Sequence, residues 1–209
     1  MPRQWAKNEP FRVLMAASFA PKKGFPDALR ALAILAQDTQ IDVTIIGDAG
    51  DHQDRQQEKA QMLAIIAETG LTDRVRLLGF QPHGRLFEEA YRHHVFLSPS
   101  VTAPDGDSEG GAPVTLIEMA ATGLPIVSTT HCDIPQVIPH GKGGFLADER
   151  APEQLAAYLR WLVNHPEQWA TMGEVLRTHV EAKFDAATQG RNLAALYREL
   201  TEMKRDHVR

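Results

Sequence analysis

Cysteine is almost absent: Cys132 is the one example in 209 residues. No internal disulfide is available, so burial alone must hold the fold, and a reducing compartment is expected. No segment approaches the roughly 18 consecutive apolar residues that a transmembrane helix needs. Met1 to Pro10 lacks the apolar centre of a signal peptide. It reads as a polar lead-in that follows an upstream domain, or simply as a chain end. Excess positive charge is missing too. A net charge of −5 and a pI near 6.0 give no field that would recruit nucleic acid or an anionic membrane, so any phosphate chemistry must be local. The sequence has no GxSxG elbow, no GxxxxGK[ST] loop and no paired CxxC. Its nine histidines show no metal-ligand spacing, and His93-His94 and His131 read as structural or exposed.

What is present is a packed domain, with 43% hydrophobic and 23% charged residues. Short apolar runs alternate with helical patterns. Strands are expected at 11–17, 41–46, 75–78, 95–97, 124–128 and 144–146. Helices are expected at about 25–35, 54–69, 86–92 and 113–122, and then in three successive stretches at 152–163, 166–182 and 186–203. Trp161 and Trp169, in that helical tail, are expected in the core or at an interface. The reading is an α/β fold: a Rossmann-like parallel sheet of about six strands, helices on both faces and a helical C-terminal tail. Ligands of such sheets bind beyond the carboxyl ends of the strands. That selects the loops 18–24, 47–51, 79–83, 98–113 and 129–134.

Two of these loops concentrate chemistry. Gly110-Gly111-Ala112-Pro113 feeds a helix, so backbone N–H groups and the positive end of the helix dipole face outward, a natural seat for an anion. Glu118, expected near the first turn of that helix, would repel a bare phosphate but accept hydrogen bonds from sugar hydroxyls. Alternatively it is a solvated helix residue. Lys22-Lys23-Gly24 follows the first strand, where a lysine either meets a phosphate or stays solvated. Gly47-Asp48-Ala49-Gly50 reads as a tight turn. A dinucleotide-binding oxidoreductase module is disfavoured because no GxGxxG follows the first strand.

Taken in order, strand–Lys22-Lys23-Gly24–helix, strand–Gly47-Asp48, Val75-Arg76-Leu77-Leu78-Gly79, Phe96-Leu97-Ser98-Pro99-Ser100 and Glu109…Glu118-Met119-Ala120-Ala121-Thr122-Gly123-Leu124-Pro125-Ile126-Val127 resemble the family 4 retaining glycosyltransferases of the GT-B fold. The flavour is that of bacterial exopolysaccharide and colanic-acid enzymes. The resemblance runs from about Phe11 to Leu200 and covers the C-terminal, donor-binding domain of that fold. It implies a nucleotide-diphosphate sugar (UDP-, GDP- or ADP-linked) as donor, a saccharide or lipid-linked acceptor, and no cofactor or metal. By the same resemblance Glu118 takes the ribose hydroxyls and Lys23 neutralises the diphosphate. Gly110, Gly111 and the amides of Ala112, Val114 and Thr115 hold diphosphate or sugar. The main chain at Gly79 and Phe80 meets the base, and Glu109 lies against the sugar near the reacting carbon as the catalytic candidate.

The sequence departs from the family pattern in three places. Glu109 and Glu118 enclose eight residues where the family has one fewer, so the loop bulges or Gly110 takes the glutamate's place. No arginine stands in the stretch Ala17-Ser18-Phe19-Ala20-Pro21 just before Lys22, and Pro113 removes one N–H. The expected organisation is a lead-in at 1–10, a donor-binding domain at 11–184 and a C-terminal helix at 185–209. That helix would return toward an N-terminal acceptor-binding domain or pair with a second copy. The expected place is the cytoplasm, at a membrane in a full-length enzyme. The rival reading is a stand-alone nucleotide-binding module acting with a partner chain.

Overall fold

Alternate side chains of each strand feed two separate cores, and this fixes a sheet covered on both faces. The computed structural model describes residues 5–206; Met1 to Gln4 of the lead-in and His207 to Arg209 of the C-terminal segment lie outside them. In β1 (Phe11–Ala16), Phe11, Val13 and Met15 enter one core, whereas Leu14 and Ala16 enter the other. The same alternation sorts Val95 and Leu97 from Phe96 in β4 (Val95–Ser98), and Phe145 and Ala147 from Leu146 in β6 (Gly144–Ala147). The other strands are β2 (Ile41–Ile46), β3 (Val75–Leu77) and β5 (Ile126–Thr129). All strand pairings are parallel, in the order β3-β2-β1-β4-β5-β6. The order reverses between β1 and β4, which opens a crevice at their carboxyl ends.

The helices are α1 (Phe25–Leu35), α2 (Gln53–Glu68), α3 (His83–Arg92), α4 (Val114–Ala121), α5 (Ile134–Val137), α6 (Pro152–Asn164), α7 (Trp169–Phe184) and α8 (Ala186–Asp206). Residues of α1, α2, α6 and the start of α7 build the first core; those of α3, α4, α5 and the rest of α7 build the second. The sequence pattern places every strand and seven of these helices to within a few residues. The α5 turn is missed, because four residues are too few to show a period. No helix among the described residues is long and apolar enough to cross a membrane.

Two anchors matter for the crevice. Arg177 of α7 donates to the carbonyls of Ala121 and Thr122 at 3.1 Å each. It caps the C-terminal end of α4 and leaves the N-terminal end facing the strand termini. At the opposite end of the sheet the lead-in is docked. Trp5 stacks on Trp169 with centroids 6.1 Å apart and meets Phe11 edge-on at 5.8 Å. His94, also buried, lies 5.3 Å from the Trp169 ring.

Among the described residues, one buried carboxyl oxygen has no partner. Glu58 of α2 is buried and its Oε1 accepts no hydrogen bond. Burial first, and the Asp27 carboxylate second, push its pKa from 4.5 up to about 7. The folded chain therefore holds a proton that the unfolded chain releases between those two values, so stability falls as pH rises through that window. Glu58→Met is expected to flatten this slope and to stabilise the chain at pH 8 by about 1–3 kcal/mol. Urea unfolding at pH 5 and pH 8 checks it, and an unchanged slope in the variant would place the proton elsewhere.

Candidate functional site

Four loops converge at the β1–β4 crevice, and each is shaped by local chemistry. After β1 the chain makes a single 3-10 turn over Pro21–Lys23 and leaves it through Gly24 at φ 65°. Both lysines then reach across to the loop after β4. The Lys22 ammonium donates to Asp107 Oδ1 at 3.0 Å and to the Ser108 carbonyl at 2.9 Å. This bond, before any other influence, holds the Asp107 carboxyl below its usual range. Lys23 donates to both carboxylate oxygens of Glu109, at 2.8 and 2.7 Å. The Ser100 hydroxyl donates to the same carboxylate at 2.7 Å. The Glu109 side chain is 6% exposed and that of Lys23 18%, so this pair is largely shielded from solvent screening.

Beyond Glu109 the loop turns sharply. Gly110 is exposed and left-handed at φ 71°, and the chain then turns through Gly111 and Ala112 into α4. Pro113 is the N-cap and offers no side-chain cap. The N–H groups of Val114 and Thr115, the first two helical residues, have no intrahelical acceptor and point with the positive end of the helix dipole into the crevice. Val114 is 68% exposed, so this end is open. Glu118 is the fifth residue of α4. That places it just past the first turn, near the helix start as expected. Its Oε1 lies 2.8 Å from His83 Nε2, at the start of α3.

The loops after β2 and β3 close the far side. Gly79, at φ 65°, accepts the Gly47 N–H at 2.9 Å. The Leu78 carbonyl is already bonded to the Gln81 amide at 2.6 Å. Phe80 leaves its ring 63% exposed beside them. Gly47-Asp48-Ala49-Gly50 is a turn: Gly47 sits at φ 135°, and the Asp48 carboxylate binds the Lys59 ammonium and the Ala49 N–H, both at 2.7 Å. Those bonds, Lys59 first, lower the Asp48 pKa.

Lys23 and Glu109 are thus in direct contact. Glu118 lies on the helix that their loop feeds, and Gly79 and Phe80 reach that helix through His83. Three partners escape sequence reading. His83 pairs with Glu118 across 35 residues, and His131 pairs with Glu149 across 18, with its Nδ1 2.6 Å from Glu149 Oε1. Their one sequence signal is position, since all of them stand in loops or helix starts that follow a strand's carboxyl end. His131 is far from solitary, because its Nε2 also accepts the Glu109 N–H at 3.1 Å.

A further hollow of about 340 Å³ opens at the amino ends of the strands, among Arg12, Arg76, Arg92 and Glu89. It is an ion-pair network: the Glu89 carboxylate is 2% exposed and pairs with Arg85 at 2.7 Å, Arg92 at 3.5 Å and Arg76 at 3.9 Å. Its lining comes from strands and from the end of α3, which supplies no helix-start N–H groups, so the β1–β4 crevice is the better anion seat. The crevice thus brings together an ammonium paired with a carboxylate, open helix N–H groups and a second carboxylate, Glu118, group types that bind phosphates and hydroxyls.

Comparison with known proteins identifies the family. The family model described as glycosyl transferases group 1 matches residues 1–178. The amylovoran biosynthesis glycosyltransferase AmsK of Erwinia amylovora is 37% identical over 196 residues, which is 93% of this chain and 46% of AmsK. The putative colanic acid biosynthesis glycosyltransferase WcaL of Escherichia coli K12 is 32% identical over 197 residues, 93% of this chain and 47% of WcaL. The chain therefore spans about half the length of the curated relatives it matches. Among solved structures, Anabaena Alr3699/HepE in complex with UDP and glucose superposes with a TM-score of 0.78 at 24% identity, over 90% of this chain and 48% of that one.

Proposed function

The chain belongs to the glycosyl transferases group 1 family, and from that premise we propose that it is the donor-binding half of a retaining glycosyltransferase acting in polysaccharide biosynthesis. Its fold is one Rossmann-like half of a GT-B enzyme. The observation that carries the proposal is the convergence, at the β1–β4 switch point, of Lys23, the open N-terminal end of α4 and Glu118. The names of AmsK and WcaL support a polysaccharide product, and the UDP in the HepE complex supports a uridine diphosphate sugar as the first donor to try, ahead of GDP- and ADP-sugars.

On this reading the donor diphosphate lies over the first turn of α4, against the amides of Ala112, Val114 and Thr115. Lys23 shares its charge between that diphosphate and Glu109. Gly110 and Gly111 let the sugar approach the backbone, Glu118 takes the ribose hydroxyls, and the main chain at Gly79 with the Phe80 ring borders the base. During transfer the bond from the anomeric carbon to the diphosphate oxygen breaks, and an acceptor hydroxyl adds at that carbon with its configuration kept, its proton passing to the departing phosphate oxygen. Negative charge grows on the leaving diphosphate, where the ammonium and helix N–H groups are already aimed, and Glu109 offers its carboxylate to the oxocarbenium-like sugar. These groups supply the positive charge, so no metal or cofactor is proposed. A second, acceptor-binding domain is proposed as the partner, supported by relatives about twice as long. The exposed Leu193, Leu196, Tyr197 and Leu200 of α8 would rest on it.

Calorimetry tests the assignment. Glu118→Ala is expected to weaken nucleoside diphosphate binding by about 1.5–3 kcal/mol. The melting temperature should hold, since that side chain is one-quarter exposed. Equal affinity for variant and parent would remove Glu118 from the site. Lys23→Ala is expected to cost about 1–3 kcal/mol more for the diphosphate than for the nucleoside, because on this reading its ammonium is shared with the phosphates. Identical losses for both ligands would put Lys23 elsewhere.

A further inference from the structure

We infer that His131 is a positioning residue which, braced by Glu149, sets the place of Glu109 in the crevice. The inference rests on the donor reading for its consequence, though not for its geometry. His131 follows β5 directly, and its ring is 2% exposed. Glu149, which follows β6, accepts the Thr102 N–H at 2.8 Å and stands 2.6 Å from the His131 Nδ1. Burial alone would raise the Glu149 pKa; the Thr102 N–H, first, and His131 outweigh it and hold the carboxyl below its ordinary value. An ionised carboxylate only accepts, so the ring must carry its proton on Nδ1. That leaves the Nε2 lone pair as an acceptor, and it receives the Glu109 N–H.

The consequence lies in the loop beyond Glu109. Gly110 and Gly111 have no side chains to tether them, and Gly110 is exposed. Glu109 is therefore the last residue whose side chain is tied by hydrogen bonds before α4. Its carboxylate is held by Lys23 and Ser100, and its amide by His131. The hydrogen bond to His131 fixes the backbone from which the carboxylate reaches Lys23 and Ser100, so the residue is held at both ends. The Cys132 Sγ lies 3.1 Å from the same His131 nitrogen, so its S–H is a second, weaker donor to that lone pair. It would fill the acceptor if the loop were to leave.

Two variants separate positioning from mere packing. His131→Phe keeps a flat ring and loses the acceptor. His131→Gln keeps a carbonyl near the Nε2 position. Amide hydrogen exchange read by NMR on the free chain is the first measurement. The Glu109 amide should exchange about tenfold faster in the Phe variant and return toward the parent rate in the Gln variant. The second measurement is affinity for whichever of UDP, GDP and ADP the parent binds best, against its nucleoside. The Phe variant should lose about fivefold or more for the diphosphate and nothing for the nucleoside, with Gln restoring most of it. Should His131→Phe fail to fold, Glu149→Gln is read the same way, since it removes the brace. Unchanged Glu109 exchange in a folded variant, or equal losses for diphosphate and nucleoside, would overturn the inference. A parent that binds no nucleoside diphosphate would sink the donor reading instead, and Glu109 exchange would still decide whether His131 holds the loop.

Discussion

Gly24→Ala should cost about 3 kcal/mol or more of stability, equivalent to a fall of roughly 6–12 °C in melting temperature for a chain of this size. Gly24 sits at φ 65°, where a side chain is strained whatever the space. A Cβ there would also overlap the Pro99 carbonyl oxygen and stand 3.0 Å from the Pro99 carbonyl carbon. Neither strand end can yield alone, because the Val101 N–H donates to the Lys22 carbonyl at 2.8 Å and ties the two loops together. Relief would push the Lys23 turn away from the loop that carries Glu109, so nucleotide affinity should fall along with stability. Gly50 is the control. It has a similar φ of 59° with nothing within 4 Å of an added Cβ, so Gly50→Ala should show backbone strain alone, about 1 kcal/mol. Circular-dichroism melts of the two variants decide the matter. Equal shifts would mean that the Pro99 contact carries no weight.

On the proposed function, these 209 residues should bind donor and yet transfer no sugar. Holding donor and acceptor in register supplies about 7–11 kcal/mol of barrier reduction, and one wall of a cleft cannot supply it. The expected result is a measurable nucleoside diphosphate isotherm with transfer to lipid-linked or saccharide acceptors at background. Activity should appear when a donor-less N-terminal half from a relative such as AmsK is supplied. Mass in solution belongs with the assay, because the exposed α8 stripe offers a second copy of the chain as an alternative cover. Robust turnover by a monomer would overturn the half-enzyme reading and demand an acceptor site within this chain. Donor binding with no turnover beside any N-terminal half would favour a nucleotide-binding module that serves a partner.

Much of this architecture is legible in the sequence, because strand and helix periods are local properties. Phe11-Arg12-Val13-Leu14-Met15-Ala16 must be covered on both sides, and the helical spacing of Phe25, Ala28, Leu29, Leu32 and Leu35 says what covers one of them. The crevice is legible to the same depth, since carboxyl-end loops rich in glycine, lysine and glutamate name themselves once a parallel sheet is accepted. The pairings inside it are another matter. Lys23 meets Glu109 across 86 residues, and His83 meets Glu118 across 35. No spacing rule reaches that far. The polar look of the lead-in hid Trp5, whose ring depends on Trp169 for its burial.

The aromatic cluster at the base of the sheet has an optical consequence. Trp5 and Trp169 stack beside Phe11, the first residue of β1, and Trp161 stacks on His165 at 4.2 Å late in α6. All three indoles thus lie near the amino ends of the strands, about 15–20 Å along the sheet from the carboxyl-end crevice. Native tryptophan emission is consequently a gauge of global unfolding that a ligand in the crevice leaves almost dark. Melts followed at that wavelength report the scaffold, while binding calls for a separate reporter, such as a single tryptophan placed at the exposed Phe80. With Phe80→Trp the chain would carry two channels of light, one at each end of the same six strands.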